Sequence, residues 1–335
     1  MLKSLSRDRL ASLLSRARGR TIAIAGDAML DVYLKGDVER ISPEAPVPVV
    51  RVRERKLALG GAANVAQNVA ALGARAELVA VVGKDANAGT LREMLEAIGG
   101  ETRSLVEVAR PTTTKTRVLA RMQQVVRFDE EDDGDLAPPE IERVLAAVAR
   151  AVGGADALVL EDYNKGVLQP AVIRAAIDTA NARKIPVVVD PKFRNFFAYK
   201  GASVFKPNRR ELESALGATM DLEHPETLPS MVERLGVDHV LLTLGERGMM
   251  LLDRKGAVLR VPTTAREVYD VVGAGDTVTA YLAAMLAAGA TVEEAAVIAN
   301  FAAGVEVGKL GAATVSADEV FEAYDAYVAH AKPGA

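Results

Sequence analysis

The chain has no cysteine, no tryptophan and only three histidines, and its aromatic content is 4%. Without cysteine there is no disulfide framework and no thiolate chemistry, which fits a reducing compartment such as the cytoplasm. His224, His239 and His330 are too few and too scattered for a histidine-rich metal site, and they leave a Ser-His-Asp hydrolase few candidates for its base. Basic charge is not in excess: 41 Lys and Arg stand against 45 Asp and Glu, for a net charge of −4. No run of like charge makes a basic arm, so a nucleic-acid partner is not expected, and the acidic Asp129–Asp133 run reads as a solvated turn. No apolar run reaches membrane-spanning length. The N-terminus, with Lys3, Arg7, Asp8 and Arg9 among leucines, lacks the apolar core of a signal peptide. What remains is an ordinary globular composition, 335 residues with 50% hydrophobic and 26% charged, large enough for one big α/β domain or two modest ones.

The elements expected along the chain alternate. A short amphipathic helix over 4–17 precedes a buried strand, Thr21–Ala25, that ends at Gly26-Asp27, with Asp31 four residues on. From Leu78 strand and helix follow each other: 78–83, a helix near 88–98, a helix near 138–151, 157–160, a helix near 170–183, and 186–190. Such alternation implies an α/β fold with a mostly parallel central sheet and helices on both faces. Two stretches break the rhythm. Pro43, Pro46 and Pro48 exclude a helix before the alternating Val50-Arg-Val-Arg53, and 114–128 alternates with Thr116, Val118, Ala120 and Met122 on one side and Arg117 and Arg121 on the other. Inserts at about 36–59 and 112–130 are therefore expected to form a small β-sheet lid, a dimer surface, or both.

The chemistry gathers at strand ends. Val268–Val272 reads as a short strand, followed by Gly273-Ala274-Gly275-Asp276-Thr277 and a helix with Val278, Tyr281, Leu282, Met285 and Leu286 on one face, ended by Gly289. Gly273, Ala274 and Gly275 let successive N–H groups at the positive end of that helix point at one anion. Asp276 inside this turn is either a helix cap or a general base beside an anion site. Gly60-Gly61 opens a helix whose first turns carry Asn64, suited to a polyol. Asp27 or Asp31 could recognise hydroxyls or cap a loop. Polar residues also end the strands at Glu161–Gly166, Asp190-Pro-Lys192, Lys206-Pro-Asn208 and Thr243-Leu-Gly245, the carboxyl edge where open α/β sheets bind ligands. Neither the P-loop motif nor G-x-G-x-x-G is present: Val278 stands where the latter's third glycine would be.

Together, Asp270-x-x-Gly273-Ala-Gly-Asp276-Thr277, Gly60-Gly61-x-x-Asn64, Asn208-x-x-Glu211 and Thr243-x-Gly245 resemble the ribokinase (PfkB) family of sugar kinases, from about residue 20 to 320 and in the family's order. Within the family, Ile41–Val49, Asp162–Gly166, Asp190–Lys192 and Val307–Gly311 resemble kinases acting on D-glycero-β-D-manno-heptose 7-phosphate. Many of these carry a fused nucleotidyltransferase with a His-x-Gly-His-like signature, which is absent here, so a free-standing kinase is expected.

The resemblance implies a single ribokinase-like kinase domain over 1–335 and ATP-dependent phosphorylation of the anomeric hydroxyl. Asp276 would be the base and the Gly273–Asp276 turn the anion hole. Asn208 and Glu211 would position Mg²⁺ through water, Thr243 and Gly245 would line the nucleotide, and Asn300 would lie near adenine, with a helix-surface role as its alternative. Asp31, Gly60, Gly61, Asn64 and Asp190 would meet the sugar. Lys165, Lys192 and Arg121, as cations far from Asp276, would hold its phosphate. The resemblance leaves room for a monovalent cation and for a homodimer through the lid. Two alternatives stay open: another sugar acceptor with the same catalytic parts, or a sugar-binding regulatory protein without catalysis.

Overall fold

A computed structural model describes residues 5–121, 123–222, 229–265 and 267–331. Met122, assigned above to a lid face, His224 and the first residue of the 4–17 helix lie outside the described residues.

In chain order the strands are β1 (Thr21–Gly26), β2 (Ala28–Ile41), β3 (Pro48–Gly61), β4 (Arg75–Val82), β5 (Leu105–Glu107), β6 (Thr114–Ala120), β7 (Gln123–Glu130), β8 (Ala157–Glu161), β9 (Val187–Asp190), β10 (Val204–Phe205), β11 (His239–Thr243), β12 (Met249–Asp253) and β13 (Val258–Val261). The helices are α1 (Arg7–Ala17), α2 (Ala62–Ala71), α3 (Ala86–Ala97), α4 (Pro138–Gly154), α5 (Pro170–Ala182), α6 (Arg209–Leu216), α7 (Pro229–Leu235), α8 (Ala274–Ala287), α9 (Val292–Glu306) and α10 (Ala317–Ala331).

Nine strands make one sheet in the order β13-β12-β11-β10-β9-β8-β1-β4-β5, parallel except where β12 and β13 return antiparallel at one edge. Its central strands are buried on both faces, so Val187-Val-Val189 and Leu158-Val-Leu160 read as unbroken apolar runs rather than alternation. One face is covered by a core that includes α1, α2, α8 and α9, the other by a core that includes α4 and α5. From β1 the chain goes to β4 on one side and later returns to β8 on the other. The switch point therefore lies between β1 and β8, where Gly26, Glu161 and Asp190 sit in register at the carboxyl ends.

The second sheet, β3-β2-β6-β7, stands apart from the first. Its long hairpin already starts at Ala28 and ends at Gly61, so it extends beyond the expected insert at both ends. The stretch 114–128 is not one strand but the hairpin β6–β7, with Arg121 at the corner in a left-handed conformation, φ +56°.

Two further expectations change. Val268–Val272 is not a strand: β13 already forms the sheet edge, and these residues run as a loop with Val268, Tyr269 and Val271 about two-thirds exposed. Helix α8 is buried all round from Asp276 to Met285 rather than on one face, because it is packed against α2, α9 and the sheet.

Candidate active site

Gly273 caps α8 with φ +98°, a conformation a side chain resists, and a Cβ there would fall 3.1 Å from the Asn64 amide nitrogen. Among the described residues the N–H groups of Gly275 and Asp276 meet no backbone acceptor, so the first turn of α8 presents free donors at its positive end.

Asp276 is 5% exposed and held at both oxygens. Tyr163 Oη donates to Oδ1 at 2.9 Å and Asn64 Nδ2 donates to Oδ2 at 2.7 Å. Burial pushes its pKa up to about 6, with the two hydrogen bonds working against that shift. This carboxyl is thus ionised at neutral pH, fixed in direction, and far more basic than an exposed aspartate, which suits a general base. It accepts side-chain donors rather than capping its own helix.

Three carboxylates converge here. Ligand atoms of Glu161, Asp190 and Asp276 lie within 4.8 Å of one another. Lys206, also buried, donates to Asp190 Oδ2 at 2.8 Å. Burial and then the neighbouring Asp190 charge push the Glu161 carboxyl well up, and both its oxygens lack a hydrogen-bond partner. An orphaned buried carboxyl beside two others fits a divalent cation.

Asn208 and Glu211 are tied differently. Asn208 Oδ1 accepts the Glu211 N–H at 2.8 Å and Glu211 Oε2 accepts the Asn208 N–H at 2.9 Å, a reciprocal cap on α6. Glu211 Oε1 takes Lys192 Nζ at 2.5 Å. Both side chains are thus engaged by the cap and by Lys192. Lys192 remains charged, since Asp190 and Glu211 push its pKa up although burial opposes them. The expectation that Lys192 anchors a distal phosphate is corrected on this geometry: it belongs to the carboxylate cluster at the Asp276 end.

Beside the turn lies a cavity of about 650 Å³ whose lining includes Asn208, Thr243, Gly245, Ala274, Gly275 and Asn300, residues expected on the nucleotide side. Asn300 is no surface residue. It is 3% exposed and its amide donates to the Pro262 carbonyl at 2.9 Å, fixing the strand exit that forms one wall.

On the other side, Gly60 lies so close to Asp31 that a Cβ would fall 2.7 Å from Oδ2, and Gly61 starts α2 with φ +56°. Asp31 itself is paired with Arg117 Nη1 at 2.5 Å. Asp27 takes the loop role: its carboxylate accepts the N–H groups of Tyr163, Lys165 and Val167. Lys165 is also committed, with Nζ on Glu131 at 2.6 Å. Arg121 is exposed at the β6–β7 corner.

Tyr163, Glu161, Lys206 and Arg117 were not assigned roles from sequence. Lys206 carried a signal, a lysine directly after the apolar strand β10. Arg117 carried none, because its pairing with Asp31 depends on the β2–β6 register.

Residues 20–319 match the pfkB family of carbohydrate kinases. The chain belongs to that family. This carbohydrate kinase is 47% identical over 317 residues to the bifunctional protein HldE of Gluconacetobacter diazotrophicus, covering 94% of this chain and 66% of that protein. It is 46% identical to the bifunctional protein HldE of Caulobacter vibrioides, covering 93% and 65%. The kinase thus spans about two-thirds of the length of these curated relatives. Its fold is shared with Arabidopsis thaliana ribokinase complexed with ribose and ATP (TM-score 0.72, 20% identity, 91% and 98% coverage). Phosphofructokinase-2 of Escherichia coli in complex with potassium is similar (TM-score 0.76, 21% identity, 93% and 99% coverage). The pfkB kinase is accordingly an ATP-dependent enzyme acting on a sugar, on a ribokinase-like fold. No described helix is long and apolar enough to cross a membrane.

Proposed function

We propose that the kinase transfers the γ-phosphoryl group of ATP to the anomeric hydroxyl of D-glycero-β-D-manno-heptose 7-phosphate, giving the 1,7-bisphosphate of lipopolysaccharide inner-core synthesis in the cytoplasm. The observation that carries the reaction is Asp276, oriented by Tyr163 and Asn64 at the open N-terminus of α8 and bordered by the cavity that holds Thr243 and Gly245. The acceptor rests on the Asp162–Gly166 and Asp190–Lys192 stretches and on the HldE relatives.

The acceptor hydroxyl lies against Asp276, which takes its proton as the oxygen attacks phosphorus. The N–H groups of Gly275 and Asp276 carry the charge that gathers on the transferring group, and Gly273 makes room for that turn. Glu161 and Asp190 would hold Mg²⁺, with Asn208 and Glu211 reaching it through water; when bound, Mg²⁺ neutralises charge on the phosphates. Lys206 and Lys192 keep the carboxylate cluster in balance. Asp31, Gly60, Gly61 and Asn64 border the sugar. The exposed apolar face of the lid, with Val126 and Phe128 each 48% exposed, suits pairing with a second copy.

The test is ADP release with Mg-ATP and, in turn, the β-heptose 7-phosphate, its α anomer, ribose and fructose 6-phosphate, with Asp276→Asn as control. Selective turnover of the β anomer is the expected result. Preference for another sugar discards the acceptor and keeps the mechanism, and no turnover with any acceptor would favour a sugar-binding protein.

A further inference from the structure

The lid presents one polar face toward the site. Asp31, Tyr33 and Lys35 alternate onto it along β2, and the register places Ala58 opposite Asp31, Lys56 opposite Tyr33 and Glu54 opposite Lys35. Between this face and the main body is a cleft of about 370 Å³. Its walls include Tyr33, Lys35, Lys56 and Arg121 from the lid, Gln67 from α2, and the loop Leu310–Ala312. It adjoins the reacting centre: Gln67 is one helical turn beyond Asn64, and Ala312 packs against Gly273.

Most cations near the acceptor side are already used. Arg117 is paired with Asp31, Lys165 with Glu131, Lys115 with Asp129 and Glu131, and Lys35 more loosely with Glu54 at 3.6 Å. Lys56 and Arg121 have no carboxylate within ion-pair distance among the described residues, yet both line the same cleft. The one carboxylate in its wall, Asp270, is occupied by the N–H groups of Val272 and Gly311, each at 3.1 Å. The cleft therefore offers two uncommitted positive charges and the Tyr33 hydroxyl, and its own anion is satisfied.

Distance fits as well. Side chains on one face of a strand are about 7 Å apart, so Tyr33 with Lys56 lies about one such step, and Lys35 about two, beyond Asp31. A sugar whose ring meets Asp31 and Asn64, with its anomeric hydroxyl on Asp276, would direct the far end of its carbon chain along this row.

We propose that this cleft is the subsite for the acceptor's distal phosphate, with Lys56 and Arg121 as the cations that hold it. The proposal rests on the sugar-phosphate reading above and replaces Lys165 and Lys192 as anchors. It makes the lid the part of the enzyme that selects phosphorylated over plain sugars.

The experiment measures kcat/KM for the heptose 7-phosphate and for the unphosphorylated heptose with wild type, Lys56→Gln, Arg121→Gln, the double variant, Lys56→Arg and Lys165→Gln. Loss of a hydrogen bond to a charged group is worth about 10- to 100-fold. Each Gln variant is expected to raise KM for the phosphorylated sugar by that factor, leaving KM for ATP unchanged. In the double variant the preference for the phosphorylated sugar should collapse by about 100-fold or more, and Lys56→Arg should restore most of the single loss. Inorganic phosphate should compete with the acceptor in wild type and not in the double variant. Equal losses on both sugars, unchanged KM, or a collapse caused by Lys165→Gln instead would overturn the subsite. The two readings separate cleanly: preference for a different sugar phosphate that is lost in the double variant refutes the heptose and supports the cleft, whereas a wild-type preference for unphosphorylated sugar refutes the cleft and leaves the kinase. Lys56 and Arg121 are exposed, so melting curves matching wild type are expected to exclude misfolding.

Discussion

The two sheets of this kinase solve different problems. The nine-stranded sheet is sealed on both faces, and its carboxyl ends, Gly26, Glu161 and Asp190, are placed to within the tolerance of a packed core. The lid sheet has long exposed strands held by surface ion pairs such as Arg51 with Glu39 and Lys35 with Glu54, each worth little. Chemistry that needs fixed geometry sits on the first sheet and the α8 turn. On the proposed reading, recognition that has to admit and release a sugar sits on the second. A buried carboxylate is expensive to keep charged: the first sheet fixes Glu161 and Asp190 at its packed end, whereas the lid keeps its buried Asp31 by pairing it with Arg117.

Asp276→Asn gives the largest expected effect and divides function from stability. Turnover should fall at least 1,000-fold, since the amide cannot take the proton of the acceptor hydroxyl. Stability should move the other way. The folded carboxyl titrates at about 6, above its ordinary value, so the fold favours the protonated form and is destabilised as pH rises from about 4 through 6. About two pKa units correspond to a cost on the order of 3 kcal/mol, part of which Asn recovers. Thermal melts of variant and wild type should diverge in the variant's favour as pH goes from 4 to 7; a variant that loses ground over that range would show that this site is not strained by its charge.

Tyr163→Phe should cost about 10- to 100-fold in kcat, because it frees one oxygen of the base. The Tyr163 hydrogen bond lowers the Asp276 pKa, so its loss should move the acid limb of kcat/KM upward from near pH 6. A pH profile that keeps its wild-type limb would remove Tyr163 from the orientation of the base.

On the lid, Lys165→Gln breaks a pair between the sheet and the loop after β8, yet stability should change by less than about 1 kcal/mol. Phe128→Asp, on the exposed apolar face, should shift sedimentation toward monomer and leave melting nearly unchanged. A melt that falls sharply in either case would show that the lid is as tightly built as the core.

The same contrast explains what could be read from sequence. Apolar runs and the glycine turns gave the parallel sheet and the residues at its ends, because burial and left-handed backbone leave residue types as their trace. Asn208, Thr243, Gly245 and Asn300 indeed line one cavity. What depended on side-chain reach was not legible. Lys192 swings to Glu211, Arg117 finds Asp31 through a strand register, and Tyr163 folds back to Asp276 from a loop that Asp27 ties down. Val268–Val272 misled because β-branched residues signal a strand only where the chain pairs with a neighbour, and this loop runs instead beside Val307, whose carbonyl accepts the N–H groups of Tyr269 and Asp270.

The β2–β3 hairpin of the lid joins the body without a linker, whereas β6 and β7 connect to it through residues 108–113 and 131–137. Strand β2 begins one residue after β1 ends, with Asp27 between, and β3 runs into α2 at Gly61; the Ala62 N–H bonds the Asp27 carbonyl across the two joints. A tilt of that hairpin is therefore absorbed at Asp27 and Gly61, whose neighbours include Tyr163 and Asn64, the two residues that hydrogen-bond Asp276. The hairpin acts as a long lever with its fulcrum at the reacting centre. Changes in length at the Ser42–Val47 tip should be nearly free, and a single residue inserted at either joint should silence the enzyme.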